Sequence, residues 1–414
     1  MQNLPILAAL GLLLLADPAQ AQAPFAKTVK LAETQATLLL QEVPQAQQQR
    51  PAAPGKPPLV SPRTLSPTGE LVLVPSRDWT SGFFPGYLWL LAEASGEARW
   101  QAAARTYTAP IEPEKTNATT HDMGFKVYCS FGTGYRLSKD PAYREVILTA
   151  ARTLSTRFNP RVGALRSWDH HREMWGFPVI IDNMLNLELL FAATRLSGDS
   201  SFYKIAVSHA NTTLKNHFRP DFSTYHVVDY DSATGRVVRR MTHQGYADES
   251  AWARGQGWAL YGYTMCYRET RNPAYLAQAE HVAQFILNHP HLPADLIPYW
   301  DFNAPDIPRA PRDASAGAVI ASALYELSTY SPNGTFYRRQ ADKMMANLAR
   351  HYTARPGGSH GFLLLHSTGN KPANSEVDVP LNYADYYFME ALLRRKNLAG
   401  PAGPAPRAKS SLAE

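Results

Sequence analysis

Apolar residues fall into two kinds of segment that alternate along the chain. Residues 183–196 contain no Gly or Pro and are apolar on nearly every face. A helix that is apolar all round is a buried helix. A Ser197-Gly198-Asp199 turn follows, and residues 202–217 then set Ile205, Ala206, His209 and Leu214 among polar neighbours. That is the pattern of an amphipathic helix with one wet face. The alternation recurs. Inner-type segments begin near Trp79, Asp122, Asp182, Arg254 and Asp313, and a last one covers 381–393. Outer-type segments begin near Arg99, Pro141, Ser201, Pro273 and Thr335, and an earlier one covers 26–43. Pro141 and Pro273 suit a first helical turn, where the missing N–H is not needed.

The two kinds of segment keep a fixed register. Trp100, Tyr143, Tyr203, Tyr275 and Tyr337 open successive outer segments, and the residues 21 positions earlier are Trp79, Asp122, Asp182, Arg254 and Ala316. Self-similarity of this kind marks a repeat architecture. Six apolar inner helices are better buried in a closed ring than in a linear stack. The fold predicted is therefore all-α: an (α/α)6 barrel of six inner and six outer helices, forming one domain over residues 24–398. The unequal spacings of 43, 60, 72 and 62 residues between equivalent positions put the insertions in loops, where binding residues collect.

The 414 residues are 45% hydrophobic, which is ample for a large core. Residues 4–16 are an apolar run too short to span a bilayer, followed by an Ala19-Gln20-Ala21-Gln22-Ala23 stretch with A-x-A spacing. Residues 1–23 thus read as a signal peptide, and export to the periplasm or the medium is expected. The Pro- and Gln-rich stretch 44–67 is expected to be an extended connection over the barrel. Residues 399–414 are expected to be a disordered tail. The two cysteines, Cys129 and Cys266, fall on inner helices two and four, with a third helix between them, so two buried thiols are expected rather than a disulfide. No CxxC, HExxH or Gly-rich loop after a strand occurs, so neither a metal nor a nucleotide cofactor is expected. The net charge of +6 is dispersed. It points to neither nucleic acid nor membrane, and is compatible with a small anionic substrate.

Candidate chemistry follows from the register. Asp122 and Asp182 both stand where inner helices begin. An Asp in such a place is commonly an N-cap, but two on inner helices of one barrel face one cavity. Two carboxylates in one cavity are the standard equipment for acid/base work on sugars. Burial and like charge raise the pKa of one of them, leaving an acid able to donate near neutrality. The segment 242–258 adds Gln244, Trp252, Arg254 and Trp258. Tryptophans offer platforms for sugar rings, and Arg pairs with carboxylate in a bidentate fork. Trp79, Phe83, Trp168, Trp175 and Trp300 begin or precede inner helices and are candidates for the same lining. His121 lies beside Asp122, and His226 falls in a loop or strand between outer helix three and inner helix four.

Several of these motifs together resemble glycoside hydrolase family 88, the unsaturated glucuronyl hydrolases. They are Asp78-Trp79-Thr80-Ser81-Gly82-Phe83-Phe84-Pro85-Gly86, His121-Asp122-Met123-Gly124-Phe125, Ile181-Asp182-Asn183-Met184, the block 243–258, and Pro298-Tyr299-Trp300-Asp301-Phe302. The resemblance runs from about residue 60 to 395 and implies the same barrel. It also implies a reaction: removal of a 4,5-unsaturated uronic acid from the non-reducing end of lyase-generated, glycosaminoglycan-type oligosaccharides by hydration of the double bond. By motif match Asp182 is the general acid/base, and Asp122 holds substrate hydroxyls and stabilises developing positive charge. His226, Trp252, Arg254 and Trp258 match substrate contacts. The stretch 365–372 does not reproduce the spaced Ser-x-x-Ser-x-Lys pattern of family members acting on sulfated substrates, so no sulfate preference is implied. Three other readings remain: an unsaturated rhamnogalacturonyl hydrolase of family 105, an inverting glycosidase acting on saturated glycans with Asp182 as acid and Asp122 as base, and a non-catalytic helical-repeat glycan-binding protein.

Overall fold

In the computed structural model, residues 18–399 are described, with side chains from 25 to 398. The expected signal segment up to residue 17 and the tail from residue 400 lie outside the described residues. The chain begins with α1 (Pro18–Gln49), a hairpin of β1 (Leu59–Leu65) and β2 (Leu71–Pro75), then α2 (Phe83–Ser95) and α3 (Ala98–Thr108). A π-helical segment (Gly124–Gly132) runs into α4 (Thr133–Ser138), followed by α5 (Pro141–Ser155) and short strands β3 (Phe158–Asn159), β4 (Ala164–Leu165) and β5 (Pro178–Ile180). Next come α6 (Asn183–Ser197), α7 (Ser200–Asn216), β6 (Val227–Tyr230), β7 (Val237–Met241), α8 (Ala253–Thr270) and α9 (Pro273–Asn288). The last elements are α10 (Ala314–Leu327), α11 (Gly334–Asn347), β8 (Ser367–Asn370), β9 (Ser375–Val379) and α12 (Asn382–Ala399).

The inner ring is α2, the π segment with α4, α6, α8, α10 and α12. Neighbours in this order touch, and α12 returns to α2, so the ring closes. Outer helices α1, α3, α5, α7, α9 and α11 cover it. The division follows burial: every residue of α8 from Ala253 to Cys266 and every residue of α10 is buried, whereas α7 and α9 each bury one stripe. The six-plus-six arrangement expected from the sequence is present among the described residues.

The constant 21-residue offset has a packing cause. Tyr143 packs on Phe131 with ring centroids 5.0 Å apart, Tyr203 on Phe191 at 5.6 Å and Tyr275 on Tyr263 at 5.8 Å. Each outer helix thus starts against the later part of its own inner helix. The chain between the two positions is one inner helix plus a turn, and that length is set by the barrel height. Asp140, Asp199 and Asn272 fix the outer starts by accepting from the backbone N–H two residues on, the usual N-cap bond.

Two expectations are corrected. Helix α1 does not stop at Val43 but continues through Pro44 to Gln49. Buried Val43 and Ala46 hold the chain on the barrel across the proline, and packing outweighs the lost N–H. The residues after it form the β1–β2 hairpin rather than a plain extended connection. The second inner helix is π-wound over its first nine residues. There the backbone is pressed against α6: a Cβ on Gly124 would lie 2.6 Å from the Asn186 Cα, and the Phe125 N–H donates to Asn186 Oδ1 at 3.0 Å. Both cysteines are free and buried.

Candidate active site

All six inner helices run the same way, so their N-terminal ends gather at one mouth. A pocket of about 220 Å³ opens there, lined by Trp79, His121, Asp122, Trp168, Asp182, Gln244 and Arg254. The volume is below the roughly 300–1,000 Å³ of pockets that engulf drug-sized ligands. It suits the end of a chain rather than its middle.

Asp182 is the centre of this pocket. It sits at the start of α6 but makes no side-chain cap bond to that helix, so the capping reading fails for it. Strand β5 delivers it, and the Ile181 N–H donates to the His226 carbonyl at 3.0 Å. Its Oδ2 is buried without a hydrogen-bond partner. Burial pushes the carboxyl up to about 7; Arg254 opposes that rise and Asp122 adds to it. At neutral pH it is therefore poised between acid and base.

The groups around Asp182 are held neutral or fixed. His226 Nδ1 accepts from the backbone N–H groups of His243 and Gln244 at 3.1 and 3.2 Å. Its ring proton consequently lies on Nε2, 3.7 Å from Asp182 Oδ2. Burial drives the His226 pKa well down, helped by His243 and Arg254, so the ring is a neutral donor aimed at the carboxyl. The Trp258 indole N–H points toward the same carboxyl and favours its ionised form. Asp122, across the pocket, accepts from Thr120 Oγ1 at 2.6 Å and lies 3.3 Å from His121 Nε2. His121 is buried, which lowers its pKa against the pull of Asp122.

Arg254 differs from its sequence reading. Its guanidinium donates to Asp313 Oδ2 at 2.7 Å and to the carbonyls of Thr368 and Gly369 at 2.6 Å each. It is stacked between Trp252 at 4.6 Å and Tyr383 at 5.4 Å. The fork expected to meet a substrate carboxylate is thus engaged within the protein, tying the β8–β9 hairpin to the barrel. Arg254 still lines the pocket and supplies fixed positive charge. Trp252, Trp258 and Phe83 are buried behind the wall rather than on it. Trp252 packs on His226 at 4.5 Å, and Phe83 packs on Trp79 at 5.8 Å. Trp168 stands on the wall, stacked on His170 at 5.2 Å, with Trp175 behind it. Trp300 is buried and does not line the pocket.

Sequence reasoning missed Arg63, His170, Asn370, Ser375, Glu376 and Tyr383, all on the wall. Arg63 donates to both Glu376 oxygens at 2.5 and 2.9 Å, and to Asp78 at 2.7 Å. This pins the β8–β9 hairpin over the mouth. His243, inside the segment singled out, also lines the pocket. Among the described residues no group of His, Cys, Asp and Glu has the geometry to hold a metal. No described helix is long and apolar enough to cross a membrane.

The family model described as glycosyl hydrolase family 88 matches residues 67–395. The chain belongs to this family and is a glycoside hydrolase. It is 53% identical over 339 residues to an unsaturated glucuronyl hydrolase of Formosa agariphila, covering 81% of this chain and 85% of that one. An unsaturated chondroitin disaccharide hydrolase of Streptococcus pyogenes is 31% identical, with 80% and 85% covered. A crystal structure of an unsaturated glucuronyl hydrolase specific for heparin superposes with a TM-score of 0.85 at 46% identity, covering 91% of this chain and 98% of that one. The enzyme of Bacillus sp. GL1 gives 0.79 at 29% identity, with 91% and 96% covered. These likenesses carry the (α/α)6 barrel, and family membership sets aside the binding-module reading.

Proposed function

We propose that this glycoside hydrolase removes 4,5-unsaturated uronic acid from the non-reducing end of lyase-generated, glycosaminoglycan-type oligosaccharides. The observation that carries the reading is the Asp182 carboxyl, held near neutrality in a pocket sized for a chain end and facing Asp122. Converging helix N-termini and Arg254 favour the uronate carboxylate. Asp182 gives its proton to C4 of the enol ether, and positive charge develops at C5 beside the ring oxygen. Asp122 lowers the energy of that charge. Water then adds at C5 and its proton returns to Asp182, with His226 Nε2–H steadying the carboxylate between the two steps. The hemiketal opens, and the bond to the next sugar breaks. The relatives named for glucuronyl, chondroitin and heparin substrates support the glycosaminoglycan class.

The test is ultraviolet absorbance on unsaturated disaccharides from heparin, chondroitin and pectin lyase digests, beside saturated counterparts. Loss of the double-bond signal with release of the second sugar is expected for the glycosaminoglycan set. Equal turnover of saturated glucuronides would point to an ordinary glycosidase, and turnover of pectin fragments alone would favour the rhamnogalacturonan reading. The apolar run 4–16 supports export, so we propose that the reaction takes place in the periplasm or the medium. Sequencing the N-terminus of the mature protein, expected to begin after residue 23, checks this.

A further inference from the structure

Behind the pocket, one buried guanidinium gathers two of the loops that build it. Arg157 follows the end of outer helix α5, and its side chain is 5% exposed. It donates to the Ala118 carbonyl at 2.5 Å, on the segment that ends in Asp122. It also donates to the carbonyls of Arg166 at 2.8 Å and Ser167 at 3.3 Å, and makes a fork to Asp169 at 2.9 and 3.1 Å. These three residues flank Trp168 on the pocket wall. Arg157 itself does not line the pocket.

The first loop leads into the π-helical segment, and the second, between β4 and β5, leads to α6. They meet at Ser167. Its carbonyl accepts the His121 N–H at 3.3 Å as well as Arg157, and its own N–H donates to the Pro178 carbonyl at 2.8 Å. Its Oγ accepts from the Ile180 N–H at 3.0 Å. The Trp168 loop is thereby fastened to β5, the strand that delivers Asp182. Three carbonyl oxygens directed at one place repel one another, and a planar cation with five donors holds them together. Burial lowers the His121 pKa; Asp122 opposes the fall and the Arg157 charge adds to it.

We propose that Arg157 is a positioning residue for the reaction: its guanidinium holds the Asp122 loop against Trp168 and the strand bearing Asp182, and so sets the spacing of the two carboxyls. The inference rests on the acid/base roles given to Asp122 and Asp182 above. A hollow of about 310 Å³, lined by Ala118, Thr156, Arg157 and Asp169, reaches the guanidinium from solvent, since Ala118 and Thr156 are exposed. A small planar cation therefore has a way in once the side chain is removed.

Steady-state kinetics on full-length Arg157→Ala test this, below the temperature at which the variant begins to melt. Misplacing a reacting group by about 1 Å costs roughly 100-fold. The kcat should fall about that far, while KM rises about fivefold at most. Millimolar guanidinium chloride should restore much of the lost kcat. Sodium chloride at the same strength should restore none, and guanidinium should do nothing for Asp182→Asn. Arg157→Lys keeps the charge without the fork and should still lose about tenfold in kcat. Wild-type kcat in folded Arg157→Ala, or equal restoration by sodium chloride, would overturn the inference. A fall in kcat that guanidinium does not reverse would assign Arg157 to the fold alone, and also overturn it. If Arg157→Ala does not fold, wild-type kcat in Arg157→Lys is enough to do so. All ratios are taken on the glycoside that the wild type cleaves. A wrong substrate reading thus shows in the wild type, and a wrong role for Arg157 shows only in the variants.

Discussion

The two ends of the barrel are made from the same six helices and are opposite in character. At the upper mouth, helix N-termini converge and buried polar atoms lack a hydrogen-bond partner among the described residues: Asp182 Oδ2, His226 Nε2 and Arg254 Nε. At the lower end, helix C-termini converge and nearly every charge is paired. A buried polar atom without a partner costs about 1–3 kcal/mol, so the upper end is a reserve of unsatisfied bonding held ready for a ligand. The lower end helps offset that cost. The same contrast separates aspartates at helix starts. Asp140 and Asp199 bond their own helices and act as caps, whereas Asp182, at the equivalent place on an inner helix, bonds none.

The largest expected effect breaks the upper end chemically. Asp182→Asn keeps shape and removes the proton that the proposed mechanism sends to C4 and takes back from water. Turnover should fall at least to the upper limit of general acid–base help, ~10⁴-fold, with KM little changed. Asp122→Asn should follow closely, since it removes the charge facing the developing cation. Steady-state kinetics on the unsaturated disaccharide decide both. Turnover near wild type in Asp182→Asn would discard the mechanism. In the parent enzyme kcat/KM should also decline as pH rises above about 7, because the free enzyme then loses the donated proton.

The next effect breaks the lower end structurally. Arg268→Met removes the guanidinium that Glu188 pairs with and leaves Glu326 with Arg394 alone; breaking a fully buried pair costs roughly 3–5 kcal/mol, an upper bound for this partly buried one. The melting temperature should drop markedly while kcat at low temperature stays near wild type. A large loss of kcat at temperatures where the variant is fully folded would show that the two ends are coupled, against the separation drawn above.

A third test joins stability to the reserve at the mouth. The folded Asp182 carboxyl has a pKa of about 7 against an ordinary 3.8. Between these values the folded state keeps a proton that the unfolded chain has lost, so stability declines as pH rises from about 4 to about 7. The loss is no more than ~4 kcal/mol. Asp182→Asn carries no such penalty. Its melting temperature should match wild type near pH 4 and exceed it by several degrees at pH 8. A constant difference across that range would mean the carboxyl titrates normally.

Much of the upper mouth was legible because it is local. The fixed offset placed Asp122 and Asp182 at equivalent helix starts, and position within a repeat became position around a ring. Facing was less legible. Trp258 lies one helical turn beyond Arg254, and nothing local distinguishes a platform on the wall from a support behind it. The engagement of Arg254 depends on Asp313 and on carbonyls more than a hundred residues away. Arg63 was hidden for the same reason: it sits in a Pro-rich stretch, and its partner Glu376 is 313 positions distant. The π winding of the second inner helix is a response to Asn186 of α6 and has no signature in its own residues. Repeats make a closed ring readable, but contacts formed by loops from distant repeats are not written in any one of them.

The smallest effect sharpens the comparison at the rim of the mouth, where charges are paired rather than left open. Glu376 accepts a fork from Arg63 and holds a left-handed backbone, φ 55°. That conformation costs a residue with a Cβ roughly 1–2 kcal/mol. The Arg63 pair is what keeps the β8–β9 hairpin, with Asn370 and Ser375, closed over the pocket. Glu376→Gln preserves shape and turns a charge-assisted fork into a neutral bond, a loss of about 1 kcal/mol. The hairpin lines the pocket through Gly369, Asn370, Ser375 and Glu376, and its expected role is in substrate binding rather than proton transfer. KM should therefore rise about fivefold while kcat changes by less than twofold. A fall in kcat with KM unchanged would instead move the hairpin into the chemical step, and the rim would then belong with the open groups around Asp182.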